Sequence, residues 1–276
     1  MRRQTHKPVN KGPISIKIRL PGTRGDEPWD INYPFLKLSL KYGHVGTWTP
    51  NWSLAFDLHS ASRGPGDGPP SLADLAVTTL MNSRLRSADV KTVTSWLAVR
   101  ENASRLEAVR KHLAAVRGLA ELPRKSISVV GALIDEMIAG RELRGVRMAK
   151  VMNWFSAWAP AHIPMIDRHV YWAMTNDAAL GSVPMAEVLG RFRTLLVTHQ
   201  DDLVRLGHLL AQRLGVIDGT ITPVRILDSL IWFDWRAIHQ YASEFQRWVA
   251  PNNAKGANSH LVRLDGIEWA SSQGIE

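Results

Sequence analysis

LRGVRMAKVMNWFSAWAPAHIPMIDRHVYWAM, from Leu143 to Met174, divides at its own punctuation. Leu143-Arg144-Gly145-Val146 has the Gly of a tight turn. Arg147 to Trp158 follows at helical spacing and is rich in aromatics. Pro160 and Pro164 then hold an extended segment, and a second helix starts at Arg168. One carboxylate, Asp167, stands where the segment meets that helix, the place of an N-cap. Two helices joined by a tight turn present unpaired backbone N–H groups at the positive end of the second one, which suits a phosphate oxygen. Gly145 would let a backbone approach closely, and Arg144, Arg147 and Lys150 add charge.

The composition agrees with a basic globular protein. The chain has 276 residues, 45% of them hydrophobic and 21% charged, and a net charge of +9. That balance favours an anionic partner, nucleic acid before a membrane surface. Basic residues cluster in 1–24, again between Arg84 and Lys125, and around Arg141 to Lys150. The start, MRRQTHKPVNKGP, has no apolar region behind its basic residues, so no signal peptide is expected. No apolar run approaches the roughly 20 residues that cross a bilayer. Without any cysteine, thiolate zinc sites, disulfides and iron–sulfur clusters are excluded. The ten histidines show no H-x-H or H-E-x-x-H spacing, and neither a Walker loop nor G-x-G-x-x-G occurs, so no metal or other cofactor is expected.

Along the chain, Ile14 to Leu20 alternates with period two, a strand signal. Tyr33 to Tyr42 alternates again and fits a strand or a short helix. SASRGPGDGPP, Ser60 to Pro70, reads as a linker. From Ser71, a good N-cap, the chain turns helical: periodic stretches follow at Leu72–Leu80, Val90–Val99, Ser104–Val116, Ser128–Ala139, Arg147–Trp158, Arg168–Met174, Met185–Leu196, Asp201–Leu214 and Pro223–Arg236. The expected fold is mainly α, organised as a basic N-terminal segment 1–60 with short strands, a linker 61–70, a helical domain 71–250 and a loosely ordered tail 251–276. The carboxylate pairs Asp135/Glu136 and Asp201/Asp202 read as solvated surface. Arg225 and Asp228 read as an intrahelical pair on a packed C-terminal helix.

Leu143, Gly145 and Val146, followed by Asp167, His169 and Val170, resemble the helix-hairpin-helix DNA glycosylase superfamily, whose members show L-P-G-V-G-x-K, an apolar helix, then V-P-V-D-x-H-V. The likeness covers about residues 70–175 and is greatest to the 8-oxoguanine DNA glycosylase fold. It implies a DNA N-glycosylase that flips a modified base out of double-stranded DNA and cleaves its N-glycosidic bond, in base-excision repair or against phage with modified DNA. It implies a cytoplasmic, monomeric enzyme. Asp167 would be catalytic, stabilising the sugar cation as the bond breaks. Arg144 stands where the family has Pro and Arg147 where it has its second Gly. Ungapped, the family's Schiff-base lysine falls on Ala149, with Lys150 about 100° further round the helix; Lys150 is therefore a nucleophilic amine or a phosphate contact. Arg144, Gly145, Val146, Arg147, His169 and Asn82 are the DNA-binding candidates. Trp154, one of eleven tryptophans, is the candidate wall of a base pocket. A non-catalytic helix-hairpin-helix DNA-binding protein is the competing expectation, and RNA binding by the basic N-terminal region a further one.

Overall fold

The computed structural model describes residues 18–24, 27–31, 34–42, 52–81, 85–140, 143, 146–177 and 181–240. The tail 251–276, Asn82, Arg144 and Gly145 lie outside them.

The chain opens on a two-stranded antiparallel hairpin, β1 (Ile18–Arg24) and β2 (Glu27–Ile31), closed by Arg24 opposite Glu27. Ile18 and Ile31 face each other and are wholly buried. The ladder shifts register between Arg19 and Thr23, around Pro21-Gly22; proline cannot donate to the ladder, so a bulge is where it belongs. Gly22 lets β1 lie against α8 (Arg168–Thr175): a Cβ there would stand 2.7 Å from the Ala173 carbonyl oxygen.

YPFLKLSLKY settles as a helix, α1 (Pro34–Tyr42). Leu38 and Tyr42, one turn apart, are both buried, and α1 packs on α11 (Pro223–Gln240). Helical spacing against a neighbouring helix outweighs the period-two pattern. After α2 (Trp52–Ala61), the Gly/Pro-rich stretch is a pinned loop. Pro65 is buried and its carbonyl accepts from Arg110 Nη1 at 3.1 Å, while Trp158 Nε1 donates to the Gly68 carbonyl at 2.7 Å.

The helices expected after Ser71 are all present, with ends moved by a few residues. Ser71 and Asp74 form a capping box on α3 (Leu72–Val77), and Arg63 grips the same Asp74 with two nitrogens at 2.9 and 3.1 Å. Then follow α4 (Ser87–Leu97), α5 (Arg100–Ala114), α6 (Arg124–Ala139), α7 (Met148–Trp158), α8, α9 (Met185–Thr198), α10 (Gln200–Leu214) and α11. The architecture is mainly α with a small N-terminal β segment. No helix among the described residues is long and apolar enough to cross a membrane.

The middle of the fold is α7. Val151, Met152, Trp154, Phe155, Ala157 and Trp158 have no exposed surface, because α2, α3 and α6 cover the helix on several sides. A helix apolar all round is a core helix. The polar edges of its two tryptophans are satisfied: Trp154 Nε1 donates to the Ser71 carbonyl at 2.7 Å, as Trp158 does to Gly68.

Helix α6 meets α9 at very close range. Gly131 lies against Ala186, and both carboxylate oxygens of Asp135 accept the Met185 N–H at 3.1 and 2.9 Å, satisfying the first turn of α9 from a neighbouring helix. Asp135 is thus a half-buried cap, not solvated surface, whereas Glu136 beside it is exposed and pairs with Arg105. A Cβ on Gly131 would stand 2.4 Å from the Ala186 nitrogen. Alanine in place of a helical glycine is worth up to about 1 kcal/mol, less than the strain of forcing two backbones apart. Gly131→Ala is expected to destabilise the protein by about 1–3 kcal/mol in chemical denaturation.

Candidate active site

Residues 159–167 join α7 to α8 through a turn, closed by the His162 and Ile163 N–H groups on the Ala159 carbonyl, and then an irregular stretch fixed at several points. Thr222 Oγ1 donates to the Pro160 carbonyl at 2.9 Å, and Leu119 N–H to the Ala161 carbonyl at 2.9 Å. His162 Nε2 lies 3.0 Å from the Val116 carbonyl; burial lowers the basicity of this imidazole, which favours the neutral ring that donates there. Ile163 and Ile166 are wholly buried. The Met165 N–H donates to Asp228 Oδ2 at 3.0 Å. Two residues on, Asp167 caps α8: its Oδ1 accepts the N–H groups of His169 at 2.8 Å and Val170 at 3.0 Å. Its Oδ2 has no hydrogen-bond partner among the described residues, and the side chain is only partly covered. The carboxylate is therefore held by one oxygen and offers the other.

Beneath this segment lies a buried polar network joining three helices distant in sequence. Arg225, 1% exposed, donates through Nε to Asp57 Oδ1 of α2 at 2.7 Å and through Nη1 to Asp228 Oδ1 on its own helix. The Phe56 ring lies 5.4 Å from its guanidinium carbon. Burial opposes the Arg225 charge, but Asp228 and Asp57 more than offset that and hold it protonated. Tyr42 donates to Asp57 Oδ2 at 2.6 Å. Lys41, beside Tyr42, places Nζ 2.5 Å from Ser229 Oγ and 5.5 and 5.4 Å from the ring centres of Tyr42 and Trp232. Burial, then the Arg225 charge, lowers Lys41 to about 7, against the opposing pull of Asp228, Asp57 and Asp167. One turn earlier Lys37 pairs with Asp234.

The intrahelical pair of Arg225 and Asp228 is present, but it is one corner of this larger assembly. The other members have a faint trace in the sequence. Arg225, Asp228 and Ser229 fall at i, i+3 and i+4 in an otherwise apolar helix, so they share a face. Nothing local pairs that face with Tyr42 and Asp57.

The remaining predicted residues separate. Leu143 and Val146 are buried in the core, and the Val146 N–H closes a turn on the Leu143 carbonyl at 2.9 Å, so this amide is not open to phosphate. Arg147 is the exposed N-cap residue of α7 and makes no side-chain cap bond. His169 is partly covered, with the Arg168 Nε 3.4 Å from its Nε2. Trp154 is a core residue with no exposed surface, so stacking on a base would require the core to open.

Lys150 points away from Asp167 in role: its Nζ lies 2.5 Å from Asp89 Oδ2. Asp89, 1% exposed, also accepts the Arg86 N–H at 2.9 Å and the Arg86 guanidinium, completing the cap of α4. Burial works against ionising Asp89, but Arg86 and Lys150 outweigh it and hold the carboxyl well below the usual carboxylate range. Lys150 thus ties the start of α7 to the start of α4.

Two outcomes follow. Arg225→Met strands two buried carboxylates and is expected to cost about 3–5 kcal/mol in urea denaturation. Because the folded Asp89 has a depressed pKa, its stabilisation is complete above the unfolded value and is lost as pH falls. Stability should therefore drop between roughly pH 5 and pH 2, and Asp89→Asn should flatten that drop in thermal melts taken across the range.

Among the described residues no group of three His, Cys, Asp or Glu side chains could hold a metal ion. No family model matches the chain, and no curated protein or solved structure matches it either.

Proposed function

We propose that this protein is a DNA N-glycosylase that uses Asp167 to release a modified base from double-stranded DNA. The observation that carries the reading is the half-satisfied Asp167 carboxylate. One oxygen is locked by two backbone N–H groups at the start of α8, and the other is left for chemistry. The segment behind it is rigid, since Asp228 holds the Met165 amide and Thr222 the Pro160 carbonyl. A charge fixed before the reaction stabilises a developing cation without reorganisation.

In the proposed step the C1′–N bond breaks and its electron pair leaves with the base, which takes up a proton. The carboxylate of Asp167 faces the oxocarbenium-like sugar, and water adds to C1′ and loses a proton. Arg147, exposed at the start of α7, supports a contact with the phosphate backbone, which positions a duplex without reading its sequence. The net charge of +9 agrees with such a partner. The chain would act as a cytoplasmic monomer, in repair or against phage whose DNA carries modified bases.

A specific observation favours a second reading, a DNA-binding protein of the same architecture without glycosylase chemistry. The lysine that the sequence offers as a nucleophile is tied to Asp89, and the offered pocket tryptophan is in the core. It requires that the parent protein bind DNA and release no base.

Asp167→Asn separates the two. Asparagine caps a helix about as well as aspartate, so the variant should melt like the parent while lacking the charge. On modified duplexes and phage genomic DNA, base release measured by chromatography should slow by about 10²–10³-fold. Release at the parental rate on every active substrate would remove Asp167 from the reaction.

A further inference from the structure

We propose that the corner between α4 and α5 binds the phosphate of a nucleoside monophosphate, either free or at the 5′ end of a DNA strand. The proposal goes beyond the glycosylase reading. Neither Asp167 nor any residue that fixes it lines this corner, and the site stands whether or not a base is released.

A pocket of about 410 Å³ opens there, lined by Lys91, Thr92, Ser95, Trp96, Val99 and Asn102. That volume lies within the range of small-ligand sites. Lys91 with Ser95, and Thr92 with Trp96, are four residues apart on α4 and share a face of it. Lys91 and Ser95 are exposed. Neither the Lys91 ammonium nor the Thr92 and Ser95 hydroxyls bond to another group among the described residues. Thr94 on the same helix shows the contrast: its hydroxyl donates to the Val90 carbonyl at 2.8 Å. No carboxylate lines the pocket. Arg100 and Glu101, in the first turn of α5, are both exposed beside it.

The opposite wall is the start of α5. Val99 is its N-cap residue, extended in backbone, and supplies no side-chain cap. Ala103 is the first residue whose N–H bonds back into the helix, to the Val99 carbonyl at 3.1 Å. The N–H groups of Arg100, Glu101 and Asn102 are left over at the positive end of a 15-residue helix. An open helix start is common; Asn102 sets this one apart. Its side chain lines the pocket although the residue is only 4% exposed. Nδ2 donates to the Trp96 carbonyl at 3.1 Å, which fixes the carboxamide. Oδ1 accepts no bond from the described residues and is not sealed from solvent, so the pocket is its outlet. A nearly buried acceptor without a donor is costly, and a ligand N–H or O–H removes that cost.

The two kinds of group select the ligand. An ammonium, two hydroxyls and the helix-start amides are donors and suit phosphate oxygens. Asn102 Oδ1 is an acceptor and suits a sugar hydroxyl or a base amine. Val99, 48% exposed, offers apolar surface to the base. A bare phosphate would leave the acceptor and the apolar wall unused, whereas a nucleotide meets both.

The test uses the full chain and deoxyadenosine 5′-monophosphate, with deoxyadenosine and inorganic phosphate as partial ligands. In calorimetric titrations the monophosphate is expected to bind at least about 10-fold more tightly than either part. Hydrogen exchange read by mass spectrometry should slow at the amides of residues 100–102 when the monophosphate is added, a readout that needs no variant. Lys91→Gln, at an exposed position, should melt like the parent and weaken binding by about 10-fold, the worth of one charge-assisted bond. No binding at millimolar monophosphate, equal affinity for deoxyadenosine, protection confined to other segments, or parental binding by Lys91→Gln would each overturn the assignment. Two unmodified duplexes, one with 5′-phosphate and one with 5′-hydroxyl ends, identify the source. Tighter binding of the phosphorylated duplex that Lys91→Gln abolishes assigns the site to strand ends. Equal binding of the two duplexes, with the monophosphate still bound, assigns it to a free nucleotide. Because no probe carries a modified base, failure here leaves the Asp167 reading untouched, and failure of base release leaves this site standing.

Discussion

The buried guanidinium of Arg225 holds together the helices that lie beneath Asp167. Arg225 is 1% exposed, and a charge taken out of water at that depth is tolerated only when its partners are equally fixed. Asp57 and Asp228 are those partners, one from α2 and one from α11. Through Asp57 the network reaches Tyr42 on α1, and through the other oxygen of Asp228 it reaches the backbone of Met165. The position of Asp167 is thus set from below by a helix about sixty residues further on and from behind by helices more than a hundred residues earlier. Without the network, the segment between α7 and α8 would lose its anchor at the Met165 amide, two residues before Asp167.

A related pattern recurs at three other acids, two buried and one half-buried. Asp74 serves Ser71 and Arg63, Asp89 serves Arg86 and Lys150, and Asp135 serves the first amide of α9. Each closes a helix start and most also bind a cation. These acids are taken up inside the protein, while basic residues such as Lys91, Arg100, Arg124, Lys125, Arg147 and Arg168 are exposed.

What was legible in the sequence was local. The helices after Ser71 could be read because their apolar spacing and caps are contained in a few consecutive residues, and Asp167 could be read as an N-cap for the same reason. YPFLKLSLKY could not, since its pattern suits either element and the decision rests with α11. Trp154 and Lys150 show the limit more sharply. Both stand at plausible positions on α7, yet the carbonyl that takes the indole belongs to Ser71 and the carboxylate that takes the amine to Asp89. A side chain's partner across 61 or 83 residues is a property of packing, and composition or spacing carries no record of it. Lys41 is the converse case: an unremarked residue in an ambiguous stretch meets the Ser229 hydroxyl of a helix 188 residues further on.

The reach of the Arg225 network, 168 residues from Asp57, also bears on when the site comes into being. During synthesis α1 and α2 leave the ribosome long before α11 exists, so Asp57, Tyr42 and Lys41 begin as solvated groups on incompletely packed helices. Contacts of such wide separation form late. Nascent chains would carry Asp167 on an unsupported loop and Lys41 as an ordinary charged lysine. The support beneath Asp167 is withheld until α11 has been made and has docked.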